Sequence, residues 1–364
     1  MERSTTADNL CAVIINSLGS ATLSSASAVA KGLGITTAQV VNCLYRAPAV
    51  LVDQIEHSLA SHLTKILIEI GYDASLCPQQ DIDIPSQPPL YDVAIYLKHP
   101  ERFSTAVDKL SQFIGLSPED ASRAVLTPPG LVLGSISKAT VDSFTAFIGD
   151  TLDIIAAPQN DANYYLFLGE CPEIVKSRLF TDLESQKITI LARDGLIAAD
   201  VNTQTMESLW SRHKTNSALK AINSNFLRYD IILLPPQTTF CVAAKTHLAN
   251  LTGIPAQYID DIVKSAPVTI IESLEATKLE PLLTAFAEHN ILVRAELINF
   301  QMLGLRIAQS SNIHQLNQLL AQFSLSHECK STPCELPFRF PEIQARLIKS
   351  VLENAEHQVE FIHE

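Results

Sequence analysis

The sequence predicts an α+β protein built from tandem β-α-α-β-α-β units, each a small antiparallel sheet packed against helices. Three observations predict it. A cassette of glycine turn, short helix and proline exit, first met at Gly32–Pro48, returns at Gly115–Pro129 and at Gly253–Pro267. The apolar pattern of residues 12–73 coincides with the chain moved forward by 81 positions, and again by 219, without a gap. Each copy also opens and closes on a β-prone run, while its middle keeps the three-to-four-residue apolar spacing of amphipathic helices.

The elements follow in order. The opening strands are read at Ala12–Ile15, Asp92–Leu97 and Asp230–Leu234. The first helix carries Val29, Leu110 or Leu248 and ends at Gly34, Gly115 or Gly253, since glycine takes the left-handed cap conformation without a Cβ penalty. The second helix carries Val40, Cys43 and Leu44, then Ala121, Ala124 and Val125, then Ile259, Ile262 and Val263. In the second unit Ser117 caps it, Pro118 suits its first turn and Asp120 completes a capping-box pattern. It stops at Pro48, Pro129 or Pro267, because proline removes a donor and turns its predecessor away from helix. A short β-prone segment such as Leu131–Leu133 leads to a longer helix with Ile55, Leu59, Leu63 and Leu67 on its apolar spacing. Closing strands are read at Tyr72–Leu76, Leu152–Ala156 and Leu292–Leu297.

Two regions read as divergent copies. Residues 163–231 have a strand at Tyr164–Leu168, a helix entered at Pro172, helices around Met206–His213 and Ala218–Phe226, and the strand Tyr229–Leu234. Residues 303–364 run strand Leu305–Ala308, helix Asn312–Phe323, a Cys/Pro loop over Cys329–Pro341, helix Glu342–Asn354 and strand Gln358–Ile362. The expected units are therefore 1–78, 91–157, 163–228, 229–300 and 301–364. A Pro-rich connector, 79–90, follows the first of them.

Composition narrows the function classes. Hydrophobic residues make up 47% and charged residues 18% of the 364, ample for buried cores, and a mean hydropathy of +0.16 suggests extensive interfaces. The formal charge of −13, with no Lys/Arg cluster, argues against nucleic acid as a partner. No apolar run approaches the roughly 20 residues of a membrane span, so no membrane span is expected. The first residues lack the basic start and apolar block of a signal peptide. Seven scattered cysteines, an odd count, fit free thiols in a reducing cytoplasm.

The cassette resembles a known family. Gly32-Leu-Gly-Ile35, the short helix after it and Ala47-Pro48, preceded by Val13–Ser20, are similar to the C-terminal domain of the bacterial ribosomal stalk protein. The similarity extends over residues 11–77, 91–157 and 229–298. It implies a bacterial protein with the β-α-α-β-α-β fold shared with the protease-adaptor superfamily. In that family, lysines on the second helix recruit translation GTPases. Here the matching positions hold Ala38 and Val41 (or Thr36 and Gln39), Glu119 and Ser122, and Gln257 and Asp260, so GTPase recruitment is not expected.

The residues suggest little catalytic chemistry. There is no zinc-protease helix motif, no phosphate loop and no nucleophile elbow, and twelve glycines leave little for a nucleotide cradle. The expectation is no enzyme, no cofactor and no metal. The one cluster of ligand-type side chains, His327, Cys329 and Cys334, is the candidate metal set, with His314, His357 or His363 as a further donor. His57 and His62 read as surface polar residues. Trp210 reads as core, and is also a candidate partner anchor together with Arg123 and Tyr45. The function expected is a multi-repeat scaffold or adaptor that mediates protein–protein contact or self-assembly into an oligomer. Linked weak surfaces suit that role because they raise effective concentration. The alternatives are a ribosome- or protease-linked adaptor, and a sensor or enzyme with a pocket between repeats.

Overall fold

The computed structural model describes residues 10–83, 89–160, 162–191, 195–213, 218–236 and 240–362. The first unit comprises β1 (Leu10–Ser17), α1 (Ala26–Leu33), α2 (Thr37–Tyr45), β2 (Ala49–Glu56), α3 (His57–Ile70) and β3 (Asp73–Pro78). The second repeats it with β4 (Leu90–Tyr96), α4 (Phe103–Ile114), α5 (Pro118–Leu126), β5 (Leu131–Ser137), α6 (Lys138–Ile148) and β6 (Asp153–Pro158). The third is β7 (Asn163–Leu168), α7 (Glu173–Ser185), β8 (Leu196–Asn202), α8 (Thr203–His213) and β9 (Leu219–Asn223). The fourth returns to the full pattern with β10 (Arg228–Leu233), α9 (Val242–Thr252), α10 (Ile259–Lys264), β11 (Val268–Glu275), α11 (Leu279–Glu288) and β12 (Val293–Leu297). The fifth is β13 (Met302–Gln309), α12 (Ile313–Gln322), β14 (Cys334–Pro341), α13 (Glu342–Asn354) and β15 (Gln358–Ile362).

Every unit forms its own three-stranded antiparallel sheet with the unit's first strand in the middle, so the fold is α+β with five repeated sheets. Units three and five keep the sheet, and among the described residues they have no second helix. Two expectations change accordingly. The stretch around Ala218–Phe226 is not a helix; it is the edge strand β9 followed by a single 3₁₀ turn. The segment before Pro341 is not all loop, because Cys334–Pro341 pairs with β13 as an edge strand.

The repeat is not gap-free either. Cys11 and Val13 oppose Ile55 and Val52, whereas Tyr91 and Val93 oppose Ile136 and Leu133. The central strand is thus offset by 80 while its neighbour is offset by 81. The extra residue lies in the turn before the first helix, where it breaks no ladder. The slip is invisible in the sequence because β1 is buried on consecutive positions rather than on alternate ones.

Local chemistry explains the elements. Gly34, Gly115 and Gly253 end α1, α4 and α9 with φ of 67°, 84° and 73°, each N–H returning to the preceding turn. Thr36 and Gln39 form a full capping box on α2. At α5, Ser117 accepts from the Asp120 N–H, but the Asp120 carboxylate accepts from the Ser117 hydroxyl instead of the cap backbone. Aspartate is one methylene shorter than the glutamate that closes such a box. The bonds entering Pro48, Pro129, Pro267 and Pro333 are all cis.

The units gather into two compact bodies, Met1–Asp161 with the first two and Ala162–Glu364 with the other three. In the first body, α6 packs on the first unit, where the Thr140 hydroxyl donates to the Leu44 carbonyl at 2.8 Å. In the second, Phe167 of β7 packs on Phe300, 4.6 Å between ring centroids, and the hydroxyls of Tyr165 and Tyr229 meet. Burial, followed by Tyr165, pushes the Tyr229 hydroxyl well above the usual tyrosine range. Arg346 of α13 reaches from the fifth unit to Glu272 and Asp230 of the fourth while also holding Glu342 on its own helix.

Candidate functional site

The fifth unit lacks a second helix, and the loop in its place carries His327, Cys329 and Cys334. In the full units that helix buries apolar residues: Val40, Cys43 and Leu44, or Ala121 and Val125. Here the chain leaves α12, turns through Ser324 at φ 58° and crosses the space as loop until Cys334 opens β14. Two polar contacts hold it. The Cys329 N–H donates to Asn317 Oδ1 at 2.9 Å, and Asn317 Nδ2 donates to the Cys329 carbonyl at 3.0 Å. Asn317 thus satisfies both backbone groups of a residue only 1% exposed. Around the thiol lies the unit's core of Leu305, Leu320, Leu336 and Ile348.

The three side chains converge. His327 Nε2 lies 3.6 Å from Cys334 Sγ, and the donor atoms of His327, Cys329 and Cys334 all fall within 4.8 Å of one another. Burial, and then the Cys334 thiol beside it, push the Cys329 thiol up to about 12. The Cys329 sulfur is therefore neutral unless a cation replaces its proton. An imidazole and two thiols so placed can bind a borderline or soft cation. His314 and His357 do not belong to the cluster. His357 instead bonds Ser310 Oγ at 3.1 Å. His363 lies outside the described residues.

The partner candidates are divided between the two bodies. Tyr45, at the end of α2, lies half-buried next to the contact between the first two units, with its carbonyl 3.5 Å from the Thr140 hydroxyl. Burial raises its phenol. Arg123 on α5 is spent on Glu119 and Asp120 of its own helix at 3.0 and 3.2 Å. It borders an open depression of about 360 Å³ with Thr127, Pro128 and Leu131. Trp210 belongs to the other body and is not core. Leu209 takes the buried position on α8, and its neighbour, a turn of roughly 100° away, is 40% exposed.

A surface that the sequence placed inside lies outside. On α3 the buried positions are Ala60, Thr64 and Leu67. Of the four positions read on its apolar spacing, Leu67 is buried as expected and Ile55 belongs to β2, whereas Leu59 is 57% exposed and Leu63 half-buried, on a different face shared with exposed Ile66 and Ile70. The i, i+4 spacing was real, but small Ala60 and Thr64 let the helix sit close to its sheet. In the second unit the positions matching Leu59 and Leu63 are Thr140, 0% exposed against the first unit, and buried Phe144. His57 and His62 are exposed.

At the positions matched to the lysines of the resembled family this chain has no lysine, although Arg123 and Lys264 stand elsewhere on α5 and α10. Asp260 instead pairs with Lys245 at 2.6 Å, which holds its carboxyl below the usual range. Fold and sites together define a tandem array of small α+β sheet units with a side-chain cluster in its last member. No known protein family, curated protein or solved structure matches the chain. No helix among the described residues is long and apolar enough to cross a membrane.

Proposed function

We propose that the chain is a non-enzymatic scaffold of stalk-domain-like units that binds protein surfaces through its helix faces and assembles with them or with itself. The observation that carries this reading is the pair of equivalent helices α3 and α6. At the position of Leu59, α6 carries Thr140, which is buried and donates to the Leu44 carbonyl of the neighbouring unit, whereas the matching stretch of α3 is apolar and Leu59 is open. Exposed apolar stripes on a helix mark contact surfaces, and a face covered in one copy and bare in the next is the free end of a head-to-tail arrangement. The seven free thiols suit a reducing, cytoplasmic setting.

Light scattering on the purified chain tests the proposal. Assembly beyond the 39.8 kDa chain mass, or stable association with a protein partner, is expected. Leu59→Asp with Ile66→Asp should abolish it while leaving the circular dichroism spectrum intact. A monodisperse 39.8 kDa species that binds no protein and is indifferent to that double change overturns the reading.

A further inference from the structure

The geometry points to a zinc-class cation site on the fifth unit, with His327 Nε2, Cys329 Sγ and Cys334 Sγ as ligands and one tetrahedral position left for water or for a donor brought by a partner. Zinc holds sulfur at about 2.3 Å and imidazole nitrogen at about 2.0–2.1 Å. Across a tetrahedral angle these bond lengths place nitrogen and sulfur about 3.6 Å apart and two sulfurs about 3.8 Å apart. The observed His327–Cys334 separation is 3.6 Å, and no pair in the trio exceeds 4.8 Å. Closing the set thus requires a shift of about 1 Å at most in a short loop.

Three further observations favour a cation over incidental packing. The ligands sit where this unit has lost a helix that supplies core residues elsewhere, and a metal can supply the missing cross-link between the loop after α12 and the start of β14. Asn317 fixes the Cys329 backbone through two hydrogen bonds, the outer support that metal ligands require. The donor set, one imidazole and two sulfurs, excludes magnesium and calcium, which take oxygen, and suits zinc or cobalt(II). Binding replaces the two thiol protons by the cation, so two protons leave per ion if both cysteines start protonated; no oxidant is involved.

The experiment uses the full chain, reduced and stripped of metal, titrated with cobalt(II) and then zinc(II). One cobalt per chain is expected, with a thiolate-to-cobalt charge-transfer band, tetrahedral visible bands, and loss of both on adding zinc. Cys334→Ser should lower the charge-transfer intensity by about half and, like His327→Ala, weaken binding more than about tenfold. His327 is half-buried between exposed Ser326 and Glu328, outside the unit's core, so its variant keeps the test valid if the serine variant misfolds. Zinc should raise the thermal midpoint of the wild type and not of either variant. Absence of the band, a band unchanged by both substitutions, or a midpoint indifferent to zinc overturns the assignment.

Discussion

The Asp92 carboxylate on β4 accepts a hydrogen bond from the Ser135 N–H on β5 at 3.1 Å. Asp230 does the same for Ser273 at 2.8 Å, with the same separation of 43 residues. Both serines are the left-handed residues of a β-bulge, with φ of 55° and 54°, and Gln54 and Asp200 occupy the matching place in the first and third units at 54°. The bulge leaves one N–H off the ladder, and the carboxylate of the central strand satisfies it. In the first unit Ala12 stands where Asp92 stands, and Gln79 supplies the acceptor to the Gln54 N–H at 3.1 Å. Gln159, one residue past the same strand end, already bonds Asp92 Oδ1 and the Ser135 hydroxyl at 2.8 and 2.9 Å.

That equivalence gives the first prediction. Asp92→Ala should cost less than about 1 kcal/mol, because Gln159 can turn its carbonyl to Ser135 as Gln79 does to Gln54. Asp92→Ala with Gln159→Ala should cost more than the sum of the two single changes, since only then is the N–H orphaned. Urea unfolding of the four proteins in the cycle decides it; strict additivity would show that the bulge needs no acceptor.

The glycines should divide into two groups. Gly34, Gly115 and Gly253 have open space where a Cβ would stand, so alanine adds only left-handed strain, about 1 kcal/mol each. A Cβ on Gly19 would lie 2.4 Å from the Gly71 carbonyl oxygen, and one on Gly130 would lie 2.5 Å from that of Ile95. Those are backbone atoms that cannot swing aside, so Gly19→Ala and Gly130→Ala should cost at least twice as much as the cap changes. Thermal midpoints of the five variants measure the ordering.

What could be read from the sequence follows from which residues have a single use. Gly34 and Pro48 carry backbone requirements that few other residues meet, so the cassette was visible. The bulge was not, because Gln54, Ser135 and Asp200 hold a left-handed conformation that their identities do not advertise. The exposed stripe of α3 was misplaced because apolar spacing reports a face and not which way it points. The trio of His327, Cys329 and Cys334 was legible by its residue types. Asn317 was not, since its role depends on two backbone contacts twelve positions along the chain.

Arg346 ties the last two units. Its partner Glu342 is 2% exposed, so removing the guanidinium leaves a carboxylate in a poorly solvated place without that cation. Arg346→Ala should cost roughly 2–4 kcal/mol, and adding Glu342→Gln should recover part of it. Calorimetry checks both; equal midpoints for wild type and Arg346→Ala would mean that the contact between the units is carried by apolar packing alone.

His357 makes the stability of the fifth unit depend on pH. Burial lowers the basicity of its ring, Nδ1 is engaged with Ser310, and buried Nε2 has no hydrogen-bond partner among the described residues. The folded state therefore binds the proton less readily than the unfolded chain, whose imidazole titrates near about 6.5. Between those two values the unfolded state holds more protons, so stability rises with pH and is complete above about 6.5. It is lost progressively as the pH falls toward the lower, folded-state value. His357→Gln removes the titration, and the wild type should lose more stability than the variant on acidification from pH 7 to pH 5. Denaturant midpoints across that range measure it, and parallel pH profiles for the two proteins would show that His357 is protonated as easily in the folded chain as outside it.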